Sequence, residues 1–98
     1  MNRRTSIPSV PLVVLDETIA HDYARSLFDR DIPLGVISST YYRVLPFMLY
    51  NNGHTVAVVA DADDPGELAE AIVIVERRLG RVNSVVRYAS DLPRSEAS

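Results

Sequence analysis

Thr55-Val56-Ala57-Val58-Val59-Ala60 runs into Asp61-Ala62-Asp63-Asp64-Pro65-Gly66-Glu67, and Leu68, Ile72, Val75 and Leu79 then recur at helical spacing up to Gly80. The first run is short, apolar and rich in β-branched residues, which marks a strand. It carries no polar alternation, so the expectation is a strand covered on both faces. Asp64 is placed to cap the helix that follows, with Pro65 at the first helical position, where a missing N–H costs nothing. Glu67 falls three residues after Asp64, so its carboxylate is expected to reach back to the N–H of Asp64 as a capping box. Arg77 and Arg78 suit the negative pole of the helix, and Gly80 is placed for a left-handed C-terminal turn. A buried strand, an acidic turn and a capped helix form the repeating unit of a parallel α/β sheet.

The same unit recurs on either side of this stretch. Pro11 to Leu15 reads as a first strand, ended by Asp16-Glu17. Asp16 is expected to cap a helix reaching about Arg30, with Ile19, Ala20, Tyr23, Ala24, Leu27 and Phe28 as its apolar stripe. Asp31-Ile32-Pro33 is a turn, Leu34 to Ile37 a second strand, and Ser38-Ser39-Thr40 its end. From Tyr41 to Asn52 the chain is apolar nearly all round, with Pro46 inside and Arg43 polar. A fourth strand follows the last helix. The predicted strands lie near 11–15, 34–38, 55–60 and 84–88, and the helices near 17–30, 41–52 and 65–79. The expected fold is a small Rossmann-like or flavodoxin-like α/β domain, a four-stranded parallel sheet flanked by three helices. Residues 1–9 read as a flexible leader, 10–90 as the single domain and 91–98 as a flexible tail.

Composition narrows the chemistry. The 98 residues are 47% hydrophobic and 23% charged, an ordinary globular mix sufficient for one modest core. There is no cysteine, which excludes disulfides and thiolate metal sites. Every basic residue is arginine, so lysine-dependent active sites are excluded. A net charge of −3 disfavours a nucleic-acid backbone as partner. No apolar run approaches the roughly 20 residues that span a bilayer. The start of the chain lacks the apolar core of a signal peptide, so a soluble cytoplasmic protein is expected.

From Leu34 onward the chain resembles the N-terminal half of a short-chain dehydrogenase/reductase. Val36-Ile37-Ser38-Ser39-Thr40-Tyr41-Tyr42 falls where that family has its glycine-rich turn. Asn52-Gly53-His54-Thr55-Val56 is similar to its helix-to-strand junction, and Asp61-Ala62-Asp63-Asp64-Pro65 to its aspartate-containing turn. Gly80-Arg81-Val82-Asn83-Ser84-Val85-Val86 resembles the strand before its Asn-Asn-Ala-Gly segment. The structural half of polyketide ketoreductase domains, which has lost its cofactor residues, is the nearer comparison. The departures carry the functional reading. Val36, Thr40 and Tyr42 replace the glycines, and their Cβ atoms deny a pyrophosphate its close backbone approach. Arg87-Tyr88-Ala89-Ser90 stands at the Asn-Asn-Ala-Gly position. No cofactor is therefore expected, and NAD(P)(H) should not bind.

Two candidate surfaces remain. In a parallel sheet the strand-end turns share one edge, so Asp16, Ser38, Ser39, Thr40, Asp61 and Asp63 could form a ligand site there. Such residues could hold Mg²⁺ or a phosphate, and Asp61-x-Asp63 resembles the nucleophile motif of haloacid-dehalogenase-like phosphatases. The plainer expectation is that they cap helices and solvate turns. His21 and His54 stand apart, with solvent-exposed or turn roles and no metal site. The second surface is the 41–52 helix. If Tyr42, Leu45 and Leu49 face the sheet, then Tyr41, Val44, Phe47 and Met48 are left for an interface. The leading expectation is thus a non-catalytic protein-interaction module, a homodimer or a member of a heteromeric complex. A small-ligand or Mg-dependent phosphate-binding enzyme is the alternative. A helix-turn-helix over residues 19–50 is a minor one, and needs Leu34–Ile37 not to be a strand.

Overall fold

The computed structural model describes residues 9–49 and 53–93. The expected leader up to Pro8, the helix end at Tyr50-Asn51-Asn52 and the tail from Arg94 lie outside those residues. In chain order the elements are β1 (Ser9–Val14), α1 (Thr18–Asp29), β2 (Leu34–Ser38), α2 (Tyr41–Leu49), β3 (Thr55–Val59), α3 (Pro65–Arg78) and β4 (Arg81–Val86). A short 3₁₀ turn, Ala89–Asp91, follows.

All strand pairs are parallel, in the order β3-β2-β1-β4. The chain steps from β1 through β2 to β3 in one direction, then crosses back to place β4 on the far side of β1. This is a Rossmann- or flavodoxin-like α/β arrangement, with a topological switch point between β1 and β4. Strand alternation divides the core in two. Val13, Leu15, Leu34 and Val36 pack under Ala20, Ala24 and Leu27 of α1 and Val44 and Phe47 of α2. Val10, Leu12, Val14 and Ile37 pack under Ala71 and Val75 of α3 on the other face.

β1 and β2 are the two inner strands, and all five residues of β2 are buried. The run at 55–60 is covered on both faces as expected, with Ala57 in one core layer and Val56 in the other, but β3 is an edge strand and Val59 at its end is exposed. An unbroken apolar run signals burial on two faces equally well in a centre or an edge strand, so it cannot report position in the sheet. Gly35 in β2 lets α3 settle closely. A Cβ there would lie 2.7 and 2.9 Å from the two γ-methyls of Val75.

The ends of the helices differ in chemistry. Asp64 caps α3 as expected, its Oδ1 accepting from the N–H groups of Gly66 (2.9 Å) and Glu67 (3.3 Å). Glu67 reaches further back than a capping box, to the N–H of Asp61 at 2.8 Å, because the N–H of Asp64 already donates to the Asp61 carbonyl. Gly80 adopts a positive φ of 138°. α1 ends in a Schellman motif: Ile32 N–H donates to the Leu27 carbonyl and Asp31 N–H to that of Phe28. Asp31 holds the left-handed position there, at φ 58°.

The face of α2 is the reverse of the one expected. Val44 is fully buried and Phe47 is 1% exposed, and the Phe47 ring meets Phe28 and half-buried His21 edge-on at 5.2 and 5.9 Å. Met48 is partly buried on the same core, while Tyr41 is exposed. Tyr42 (68%) and Leu49 (64%), assigned to the sheet in the sequence reading, face outward with half-buried Leu45 between them. The physical reason is spacing: 44, 47 and 48 make a tight three-residue contact with a twisted sheet, and the bulkier tyrosines stay on the rim. Ile19, placed in the buried stripe of α1, is likewise exposed at its first turn. β2 covers Leu34–Ser38, so the helix-turn-helix arrangement is ruled out.

Candidate functional site at the C-terminal edge of the sheet

Parallel pairing brings the ends of all four strands to one edge. Asp16 follows β1, Ser38 closes β2, Asp61 follows β3 and Arg87 follows β4. Ser38 is 1% exposed and forms the hub on one side. Its Oγ donates to Asp16 Oδ1 at 2.7 Å and accepts from Thr40 N–H at 3.0 Å. Asp16 therefore holds the end of β2 rather than capping α1. Glu17 occupies the N-cap position of α1, and its side chain makes no cap hydrogen bond. Ser39 is exposed beside them.

The β3–α3 turn is closed on itself. Asp61 Oδ1 accepts from Asp63 N–H at 2.9 Å, and the Asp61 carbonyl accepts from Asp64 N–H at 3.0 Å. Asp63 alone points out of this turn. Its Oδ1 meets Arg87 Nη2 at 2.8 Å. That ion pair ties the end of β4 to the β3–α3 turn, beside the switch point where open α/β sheets take their ligands. The hydrogen bond to Asp63 raises the Arg87 pKa above its ordinary value, partial desolvation opposes this, and the charges of Asp63, Tyr88 and Asp16 add to the rise. The Arg87 guanidinium also lies 5.4 Å from the centre of the Tyr88 ring. Behind it, Asp91 accepts from the N–H groups of Arg87 and Tyr88, both at 3.0 Å. These bonds hold the Asp91 carboxyl below its ordinary pKa, the Tyr88 bond most. Asp91 and Leu92, which the expected tail included, are thus fastened to the domain.

The six candidate residues do not converge on one point. Asp16, Ser38 and Thr40 form one hydrogen-bonded chain, and Asp61 serves its own turn. Asp63 pairs with Arg87. Among the described residues no three His, Asp or Glu side chains are grouped to hold a metal ion. Sequence reasoning missed Arg87, although its signal was present: the residue directly after each strand of a parallel sheet reaches this edge, and Arg87 directly follows Val86.

In a doubly wound sheet the phosphate turn follows the strand beside the switch point. Here that strand is β1, and the turn after it is Leu15–Thr18. Leu15-Asp16-Glu17-Thr18 contains no glycine. A cavity of about 360 Å³ lies elsewhere, between α1 and α2, lined by Arg25, Phe28, Asp29, Pro46 and Phe47. No helix among the described residues is long and apolar enough to cross a membrane. No family model matches the chain, and comparison with curated proteins and with solved structures returns no match.

Proposed function

We propose that this chain is a cytoplasmic, non-catalytic Rossmann-like domain, a degenerate counterpart of short-chain dehydrogenase/reductase domains, that acts by protein–protein association and first of all by self-association. One observation carries this reading. The edge that would receive a ligand is bound up by the protein's own groups, with Arg87 on Asp63 and Ser38 on Asp16. The turn beside the switch point offers side chains where a pyrophosphate needs bare backbone. Meanwhile α2 turns Tyr42 and Leu49 to the outside. Large exposed aromatic and aliphatic groups on one helix face mark contact surfaces.

The test has two arms. Thermal shift against NAD(P)(H) and a panel of nucleotides, with and without Mg²⁺, gives no shift on this reading. Light scattering at micromolar protein gives twice the 10.9 kDa of one chain. A clear shift with a nucleotide or with Mg²⁺ and phosphate would transfer the assignment to a small-ligand enzyme using Asp16, Ser38, Asp61 and Asp63. A stable monomer would leave only a heteromeric partner.

A further inference from the structure

We propose that two copies of this chain join through their β3 edges, extending the sheet across a twofold axis with the two α2 helices packed against each other beside it. The inference rests on the self-association reading above and specifies its surface. Leu34 N–H donates to the His54 carbonyl and Ala60 N–H to the Ser38 carbonyl, both at 3.0 Å. Bonding residues alternate along a parallel ladder. Residues 54, 56, 58 and 60 therefore face β2, and Ala57 and Val59 direct their backbone N–H and C=O groups outward. Among the described residues nothing accepts from or donates to those groups.

The two edges of the sheet are treated differently. On β4 the N–H of Val82 donates to Glu76 Oε2 at 2.9 Å, exposed Arg81 adds charge, and the register with β1 shifts between Val10 and Pro11. A capped donor, a charge and a bulge are the devices that blunt an edge strand. Val56–Val59 of β3 carries none of them. Thr55–Val59 has no charge and no proline, and it pairs with β2 in unbroken register.

A row of outward N–H and C=O groups is recognised by another strand, and the strand that fits is β3 itself. With a twofold axis at Val58, Ala57 of one copy lies opposite Val59 of the other. Each pair exchanges both backbone bonds, and no like charges meet across the axis. The helix completes the surface. Pro46 and Phe47 line the groove that α2 shares with α1, so the opposite flank, with exposed Tyr41 and half-buried Leu45 and Met48, is turned away from α1. α1 packs on β1 and β2, and α2 on β2 and β3, so that flank lies over the β3 edge. Exposed Val59 lies on the same face of the sheet as Ala57, which packs against the α1–α2 core. Pairing two β3 strands therefore brings the apolar flanks of two α2 helices together.

The experiment combines light scattering, one surface variant and hydrogen exchange on the wild-type chain. The wild type is expected at twice the chain mass, and Val59→Lys, which alters only an exposed side chain, at the single mass with an unchanged circular dichroism spectrum. In the wild type, exchange at the Ala57 and Val59 amides is expected to slow as protein concentration rises through the dimerisation midpoint. A monomeric wild type defeats both this inference and self-association. A dimer that Val59→Lys leaves intact, or whose concentration-dependent protection falls on β4, defeats the edge pairing and leaves self-association standing. If Val59→Lys does not fold, the exchange of the wild type decides alone.

Discussion

Gly35→Ala tests how the two layers of the core meet. The added Cβ would lie 2.7 Å from Cγ2 and 2.9 Å from Cγ1 of Val75, and 3.1 Å from Cδ1 of Leu12. Real Cβ contacts essentially never fall below 3.0 Å, so something must move. Val75 is β-branched and stiff about χ1 in a helix, and both of its methyls are in the way. A rotamer change that removes one presents the other. α3 itself must shift, although Ala71 and Val75 are both fully buried beneath it. Overpacking of this kind costs about 1–3 kcal/mol, and the double clash places Gly35→Ala in the upper half of that range. For a domain of this size it corresponds to a fall in Tm of roughly 10–20 °C.

The partner variant sharpens the test. Val75→Ala removes both methyls and costs about 2 kcal/mol by itself, from lost burial and the space left behind. In Gly35→Ala/Val75→Ala the new methyl enters that space. The double variant should be little worse than Val75→Ala alone, a coupling of about 2 kcal/mol, within the range seen for residues in contact. Urea unfolding followed by circular dichroism measures all four proteins, with midpoints compared at constant m. If the two changes add to within about 0.5 kcal/mol, or if Gly35→Ala alone costs less than that, the close approach of β2 and α3 is wrong.

Asp31→Gly relieves an L-residue of its left-handed conformation at the end of α1 and should stabilise by about 0.5 kcal/mol in thermal unfolding, while Asp31→Val should destabilise by about 1–2 kcal/mol. Ser38→Ala strips Asp16 and Thr40 of their shared partner and should cost about 1–2 kcal/mol, against under about 0.5 for exposed Ser39→Ala, in the same urea assay. Asp64→Ala loses the cap of α3 at a cost of about 1 kcal/mol. Asp91 has a folded pKa below its ordinary 3.8, so its contribution is present above 3.8 and is lost as pH falls through the folded value. An NMR titration should place its midpoint below 3.8, with the Arg87 and Tyr88 amides losing exchange protection on the acid side.

Local chemistry in the sequence is read well because it acts within a few residues. Asp64-Pro65 fixes the start of α3, and apolar runs fix four strands near their observed places. What the sequence does not display is which elements become neighbours. The run at 55–59 looks like a central strand, and only the crossover to β4 makes it an edge. Asp16 looks like a cap until β2 arrives beside it and Ser38 takes its carboxylate. The pairing of Arg87 with Asp63 has no local signature, because Asp63 is brought to it by the whole of α3 and β4.

The reversed face of α2 changes what counts as evidence for association. With Phe47 and Val44 read as surface, Phe47→Asp would be the natural way to split a dimer. Phe47 is core, stacked edge-on with Phe28 at 5.2 Å. A carboxylate at that position is an unpaired charge in an apolar layer, so the chain unfolds whether or not it associates. Loss of a dimer in that variant would carry no information about the interface. Leu49→Asp reaches the question directly. Leu49 is 64% exposed, so a charge there leaves the monomer's core untouched. Its effect on stability in dilute monomer should stay within about 0.5 kcal/mol. Any shift from double to single mass in light scattering then reports the outer face of α2 itself. A Leu49→Asp chain that remains at double mass would place that face outside the contact.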